Sequence, residues 1–305
     1  MKKILFLVFT IAFFSKSLLA QMPSQAENPG MSFLKIGMGA KASGMGEAFV
    51  GKADGLSSLY WNPAGISESQ GIEITFMHNQ WFQDITTEYF ASVLKVKGNV
   101  FAFSLTLNQV PDIPRRTKPT DVPLSTYDAH QAAFGISFSR KITPKISLGF
   151  SGKWLYEKID ISSASGLGMD LGALFSLLKN MKLGLVVSNF GQKIKFEQQE
   201  FSLPTAYKAG FSYYLYNDYL KGDFSFDLDA VKLDQDSDLK IHFGLEYLYS
   251  GILALRGGYQ LGYDEKSYTL GFGLKMKSYG LDYAFVPFES DLGSTHRISL
   301  NLRVK

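Results

Sequence analysis

The sequence predicts an all-β transmembrane barrel of about fourteen antiparallel strands with an N-terminal plug segment, each strand being about ten residues long, the length of a tilted strand crossing a bilayer. Three observations carry that expectation. The chain starts with an export-type leader, apolar residues alternate with small or polar ones from Gly71 onward, and the connectors are short and long at alternate ends.

The leader comes first. The chain opens MKKILFLVFTIAFFSKSLLAQ, with Lys2 and Lys3, an apolar run from Ile4 to Phe14, and Ala20 before Gln21. A basic start, a short apolar run and a small residue are the layout of a cleaved signal peptide, whereas a membrane helix needs roughly 20 apolar residues. Residues 1–20 are set apart from the fold on that ground, 21–70 are expected to form the plug or hatch, and 71–305 the barrel.

Charge and cysteine usage exclude several functions. The leader holds Lys2, Lys3 and Lys16 and no acid, so of 31 Lys and Arg and 28 Asp and Glu the mature part keeps equal numbers. A balanced chain gives no electrostatic basis for a nucleic-acid partner. Zero cysteines exclude disulfides, thiolate metal sites and a cysteine nucleophile. The 16 Tyr, 25 Phe and 29 Gly suit many strands with aromatic edges.

Two glycine motifs in the plug stretch invite a nucleotide and fail on context. Gly37, Gly39 and Ala42 fit G-x-G-x-x-G/A, but nothing before Gly37 reads as the buried strand a dinucleotide site requires. Gly46, Gly51 and Lys52 fit G-x-x-x-x-G-K, but Ala53 stands where a hydroxyl must reach magnesium. No cofactor is expected.

The strands are read from a period of two. In NVFAFSLTLNQV, Phe101, Phe103, Leu105 and Leu107 share one face, and Ala102, Ser104 and Thr106 the other. Ala132, Phe134, Ile136 and Phe138 repeat the pattern, as do Ile146, Leu148 and Phe150, then Phe224, Phe226 and Leu228 against Asp223, Ser225, Asp227 and Asp229. Tyr268, Leu270, Phe272, Leu274 and Met276 follow, and Ile298, Leu300, Leu302 and Val304 close the chain. A soluble sandwich also alternates, but strands of about five or six residues suffice for it. Longer strands with a second face of Gly, Ser and charge favour a polar lumen.

Connectors and prolines agree. Short links are expected at 97–99, 141–145, 177–180 and 249–251, and long ones at 111–126 and 190–204. Barrels of outer membranes have short periplasmic turns and longer outer loops. Pro111, Pro114, Pro119, Pro123, Pro144, Pro204 and Pro287 are assigned to links or strand ends, where no ladder hydrogen bond is lost. Trp81 with Phe82, Trp154 with Tyr156, Tyr213 with Tyr214 and Tyr247 with Tyr249 are assigned to interfacial girdles.

Residues 31–68, small, flexible and partly apolar, precede the first strand and are compact enough to fill a lumen that wall side chains would leave open. Within them GAKASGMGEAFVGKADGLSSLYWNPAGIS resembles the N-terminal signature of the PorV/PorQ outer-membrane family, itself similar to FadL-type transporters of hydrophobic compounds. Asn62, Pro63, Ala64 and Gly65 match the plug motif of these families, preceded here by Trp61, and STHRISLNL at 294–302 is similar to the PorV/PorQ closing strand. The chain departs from barrel habit in ending Val304, Lys305 without a terminal aromatic. The resemblance implies a plugged FadL-like barrel in the outer membrane of a Gram-negative bacterium, in contact with lipid and lipopolysaccharide. It implies a non-enzymatic accessory of type IX protein secretion, binding or passing cargo proteins with secretion-system subunits. The alternative is a transporter for a hydrophobic ligand, with Phe33, Leu34, Phe49 and Tyr60 lining its pocket.

Other chemistry is declined. Asp234, Asp236 and Asp238 have calcium-loop spacing without the glycine and glutamate an EF-hand needs, so no metal is expected there. His78, His130, His242 and His296 stand near no recognisable nucleophile and no catalytic residue is assigned, His296 being read as interfacial or lumenal. Asp223, Asp227, Asp229, Glu246, Lys240, Lys275, Arg297 and Arg303 are assigned to the lumen, where they hold the plug and avoid lipid.

Overall fold

The computed structural model describes residues 30–119, 121–289 and 293–304, so the signal peptide expected at 1–20 and the first part, 21–29, of the expected plug lie outside the described residues. The wall is built from β1 (Ile72–Gln80), β2 (Thr86–Val96), β3 (Asn99–Arg115), β4 (Ser125–Thr143), β5 (Ile146–Ile159), β6 (Ser162–Leu178), β7 (Met181–Gly191), β10 (Ala206–Asn217), β11 (Gly222–Leu233), β12 (Leu239–Tyr249), β13 (Leu253–Leu261), β14 (Tyr268–Lys275), β15 (Tyr279–Pro287) and β16 (Ser294–Val304). A small hairpin, β8 (Ile194–Phe196) and β9 (Gln199–Phe201), forms a separate two-stranded sheet. The fourteen wall strands make one closed antiparallel barrel, sealed where β1 meets β16 from Ile72↔Val304 to Gln80↔His296.

The alternation sorts solvents. On β12, Phe243 and Leu245 point outward and are 43% and 54% exposed, while His242 and Glu246 on the other face are buried. The outward row of nearly every strand is apolar in the same way, as with Phe226 and Leu228, Leu270 and Phe272, and Ile298 and Leu300. Among the described residues no second sheet covers these rows, and lipid is the medium that removes them from water. That disposes of the sandwich alternative. No helix among the described residues is long and apolar enough to cross a membrane, and the strands do the crossing.

Tight turns at 97–98, 144–145 and 179–180 lie at one end, the end where β1 starts and β16 finishes. The expected long link at 111–126 is corrected: β3 runs on to Arg115 and β4 begins at Ser125. Pro111 is accommodated by an irregularity between Val110 and Ile113, where Asp112 turns to φ 54° and its N–H donates to the Asp128 carboxylate at 3.0 Å. A bulge lets a strand carry a residue without an N–H, so this pairing survives two prolines. The link at 190–204 is also less loop-like than expected, because β8 and β9 fold over the lumen and bury Ile194.

Residues 31–68 lie within the lumen as short turns and helices, among them Ala40–Ser43, Ser58–Trp61 and Pro63–Glu68. Their contact with the wall is two-sided. Met31, Phe33, Ile36 and Met38 pack against Met77, Val93, Val100 and Leu155 of the wall, whereas Asp229 and Ser225 of β11 meet the segment through hydrogen bonds. The main chain meets the wall directly where both sides are glycine. A Cβ on Gly258 would stand 1.9 Å from the Gly46 nitrogen, and Gly46 itself needs φ 62°.

Two outcomes are expected. Leu245→Arg on the lipid face should cost about 2–4 kcal/mol of barrel stability, read by urea titration in vesicles, with Leu245→Ala costing less. Gly258→Val should keep a folded, heat-modifiable barrel yet open a trypsin cut after Lys52, a residue only 1% exposed in the native packing.

Candidate functional site

The N-terminal segment divides the lumen into two chambers. The one at the short-turn end has a volume of about 780 Å³ and a charged lining that includes Lys41, Asp54, Glu246 and Arg256. The one at the long-loop end has about 1110 Å³ and a more aromatic lining in which Phe33, Leu34, Tyr60, Trp61, Trp81 and Phe288 take part, beside charged residues such as Lys208, Lys240 and Lys266. This outer chamber is the candidate site. Its size is that of a small-molecule pocket, and its aromatic side chains converge with several charged groups.

Its floor is fixed by wall side chains that satisfy the segment's exposed backbone. Asp229 on β11 accepts from the N–H groups of Phe49 and Val50 at 2.6 and 2.7 Å. Arg297 on β16 donates to the Gly37 carbonyl at 2.8 Å, and Ser299 accepts from the Ala40 N–H at 2.9 Å. Lys52 is buried against Glu246 at 3.1 Å and donates to Ser225 at 2.6 Å. A second clasp comes from the outer link at 262–267, whose Lys266 meets Glu47 at 3.2 Å while Tyr263 donates to or accepts from His242 at 2.9 Å. Gln260 also donates to Glu47, at 3.0 Å. Burial drives the Glu47 carboxyl upward, but the facing cations Lys266 and Arg297 outweigh it and hold its pKa at about 2.

Trp61, Asn62, Pro63, Ala64 and Gly65 form a joint. Trp61 faces the chamber and donates its Nε1 to the Met38 carbonyl at 2.8 Å. Asn62 caps the turn Pro63–Glu68 by accepting from the Ala64 N–H, and its amide donates to the carbonyls of Val50 and Ala173, each at 3.1 Å. It thereby ties two parts of the segment to β6. Ala64 is buried, and Gly65 lies so close to the Ala53 carbonyl that a Cβ would come within 2.1 Å.

Of the four residues expected to line a pocket, Phe33, Leu34 and Tyr60 border the outer chamber. Phe49 does not; it is fully buried with Ala42, Met45 and Trp61. Trp81 and Phe82, assigned from sequence to a membrane girdle, instead border the chamber, because left-handed Gln83 and Asp84 fold the link inward. There they cluster with Phe288 at centroid separations of 5.0, 6.0 and 5.4 Å. Trp154 and Tyr156 do face outward and stack at 5.9 Å. Lys208, also bordering the chamber, went unassigned from sequence although the alternation Ala206, Lys208, Gly210 puts it on the lumen face. His242 is lumenal, while His78, His130 and His296 are outward, His296 contacting Tyr283 at 2.8 Å. Asp236 is paired with Lys240 at 2.8 Å in the link between β11 and β12.

No protein-family model and no curated protein sequence matches the chain. Among solved structures it is similar to the Pseudomonas putida toluene transporter TodX, at 15% identity over 87% of this chain and 96% of that one, with a TM-score of 0.62. It is likewise similar to the CymD monoaromatic hydrocarbon channel, at 13% identity over 87% of this chain and 96% of that one, with a TM-score of 0.63. At such identities the fold is what is shared.

The Glu47 clasp gives a pH prediction. A carboxyl whose folded pKa of about 2 lies below its ordinary 4.5 stabilises the folded state fully above the ordinary value and loses that contribution as pH falls toward 2. Seating of residues 37–57 should therefore weaken by about 3 kcal/mol across that window, seen as a change in Trp61 fluorescence. Glu47→Gln should lack the acid transition and show looser seating already at neutral pH.

Proposed function

We propose that this protein is an outer-membrane channel for hydrophobic small molecules, entered from the outer chamber and stoppered by residues 31–68. The observation that carries the reading is the chamber itself: apolar and aromatic side chains from the N-terminal segment and from the outer links converge on about 1110 Å³ of space. Apolar compounds gain by leaving water for such a lining. The barrel fold shared with TodX and CymD, described as a toluene transporter and a monoaromatic hydrocarbon channel, supports it. The outward apolar rows support a place in lipid, and the short turns then face the periplasm.

The export-accessory reading stands second. It rests on the resemblance of the N-terminal block to the PorV/PorQ signature and would use outer loops to contact cargo. The described outer links offer little for that: strand pairing shortens the link at 111–126 to the residues between Arg115 and Ser125, and the hairpin of β8 and β9 turns over the lumen.

Deleting the gene should lower the initial uptake rate of a radiolabelled monoaromatic compound and leave the secreted proteome unchanged, and Tyr60→Ala on a complementing plasmid should restore uptake only in part. Unchanged uptake together with loss of secreted proteins would overturn the channel reading in favour of export.

A further inference from the structure

We propose that the outer chamber takes a ligand in which a flat apolar body carries one anionic oxygen head group, and that Lys208 receives the head. The inference rests on the channel reading and narrows it from hydrophobic compounds in general to aromatic acids. Lys208 is 9% exposed and projects from β10 into the chamber. Its cross-strand neighbours are Val186 on β7 and Val231 on β11, and its same-face neighbours along β10 are Ala206 and Gly210. Its strand partners are thus apolar, and the carboxylates acting on the ammonium from farther off, Asp170, Glu47 and Asp229, are each engaged elsewhere. The rings of Tyr60 and Trp61 lie 5.1 and 5.3 Å from it.

Among the described residues Lys208 makes no ion pair and no hydrogen bond. Two other lumenal lysines are matched: Lys52 meets Glu246 at 3.1 Å and Lys153 meets Asp170 at 2.8 Å. Of the chamber's carboxylates, Glu47 is engaged by Lys266 and Asp236 by Lys240, while Asp234 and Glu265 are exposed and make no ion pair with Lys208 among the described residues. Burying an ammonium without an anion is costly, and aromatic faces recover only part of the loss. Two further buried groups of the chamber lack an acceptor, Trp81 Nε1 and Arg297 Nε. Both can only donate. A chamber whose buried unmatched groups are donors is complementary there to an acceptor-only, negatively charged head such as a carboxylate. The body is assigned from the rings: Tyr60 and Trp61 at the floor and the Trp81, Phe82 and Phe288 cluster at the side favour stacked or edge-on contact with another flat ring.

The test uses purified full-length protein in detergent at neutral pH and three probes, 2-naphthoate, its neutral counterpart 2-naphthalenemethanol, and decanoate, with binding read by tryptophan fluorescence and calorimetry. A charge-assisted contact predicts that the naphthoate binds about tenfold to a hundredfold tighter than the alcohol. Lys208→Met should abolish that preference while still binding the alcohol, and Lys208→Arg should retain it; heat-modifiable migration verifies that each variant is folded. Equal affinity for acid and alcohol, or a preference that persists in Lys208→Met, overturns the anchor and leaves the channel reading intact. Decanoate binding as tightly as naphthoate overturns the aromatic assignment. Failure of all three probes to bind the native protein would take the channel reading down as well.

Discussion

Everything in this molecule follows from a period of two imposed on fourteen paired strands. A strand shows alternate side chains to opposite sides, so closing the sheet creates an outward face and an inward face that must each find a matching medium. Outside, Phe226, Leu245 and Leu270 have no protein partner, and lipid is the medium that fits them. Inside, Asp229, Glu246, Arg256 and Arg297 would be left in a bare lumen. The N-terminal segment resolves the second problem by bringing backbone N–H groups, carbonyls and Lys52 to those side chains.

That solution is asymmetric, and the asymmetry makes the site. Charged clasps such as Asp229 and Arg297 lie on β10–β16, hydrogen bonds of Asn62, Ala64 and Ser67 reach β4–β6, and the apolar part of the segment meets the wall around Val93, Val100 and Leu155. Hydrogen bonding is concentrated beneath the floor, so the outer chamber keeps an aromatic lining and few unmatched polar groups. Arg256 illustrates the economy of the other half: it bridges Glu246 at 2.6 Å and Asp282 at 2.7 Å, so that one guanidinium satisfies two strands. Buried pairs of this kind contribute little net stability against an apolar replacement, but breaking one leaves a bare charge. They fix where the segment sits.

The barrel could be read from the chain because alternation is local: Phe224, Phe226 and Leu228 against Asp227 and Asp229 needs no partner strand to be recognised. Strand count and the outward face followed from the same signal. Boundaries were harder where two rules competed, as at Pro111 and Pro114, where the bulge at Asp112 lets pairing continue to Arg115. The site was only partly readable. Phe33, Leu34 and Tyr60 border the chamber and Phe49 does not, and since the segment is a series of short turns, no periodicity separates the two fates. Trp81 and Phe82 sit at a strand end, where a girdle and a chamber wall look alike until left-handed residues turn the link inward. The lumenal position of Lys208 was implicit in the alternation. Its lack of an ion pair depends on strand partners, Val186 and Val231, that strand pairing alone brings beside it, and on Asp170 and Glu47 being engaged by Lys153 and Lys266.

The central claim is that the chamber above the N-terminal segment receives apolar molecules. Diffraction from crystals soaked in bromobenzene, recorded at the bromine edge, tests it most directly. The account predicts an anomalous peak between Phe33, Tyr60 and the Trp81–Phe288 cluster. Bromine confined to the lipid-facing grooves of the wall, with none in the chamber, would contradict it.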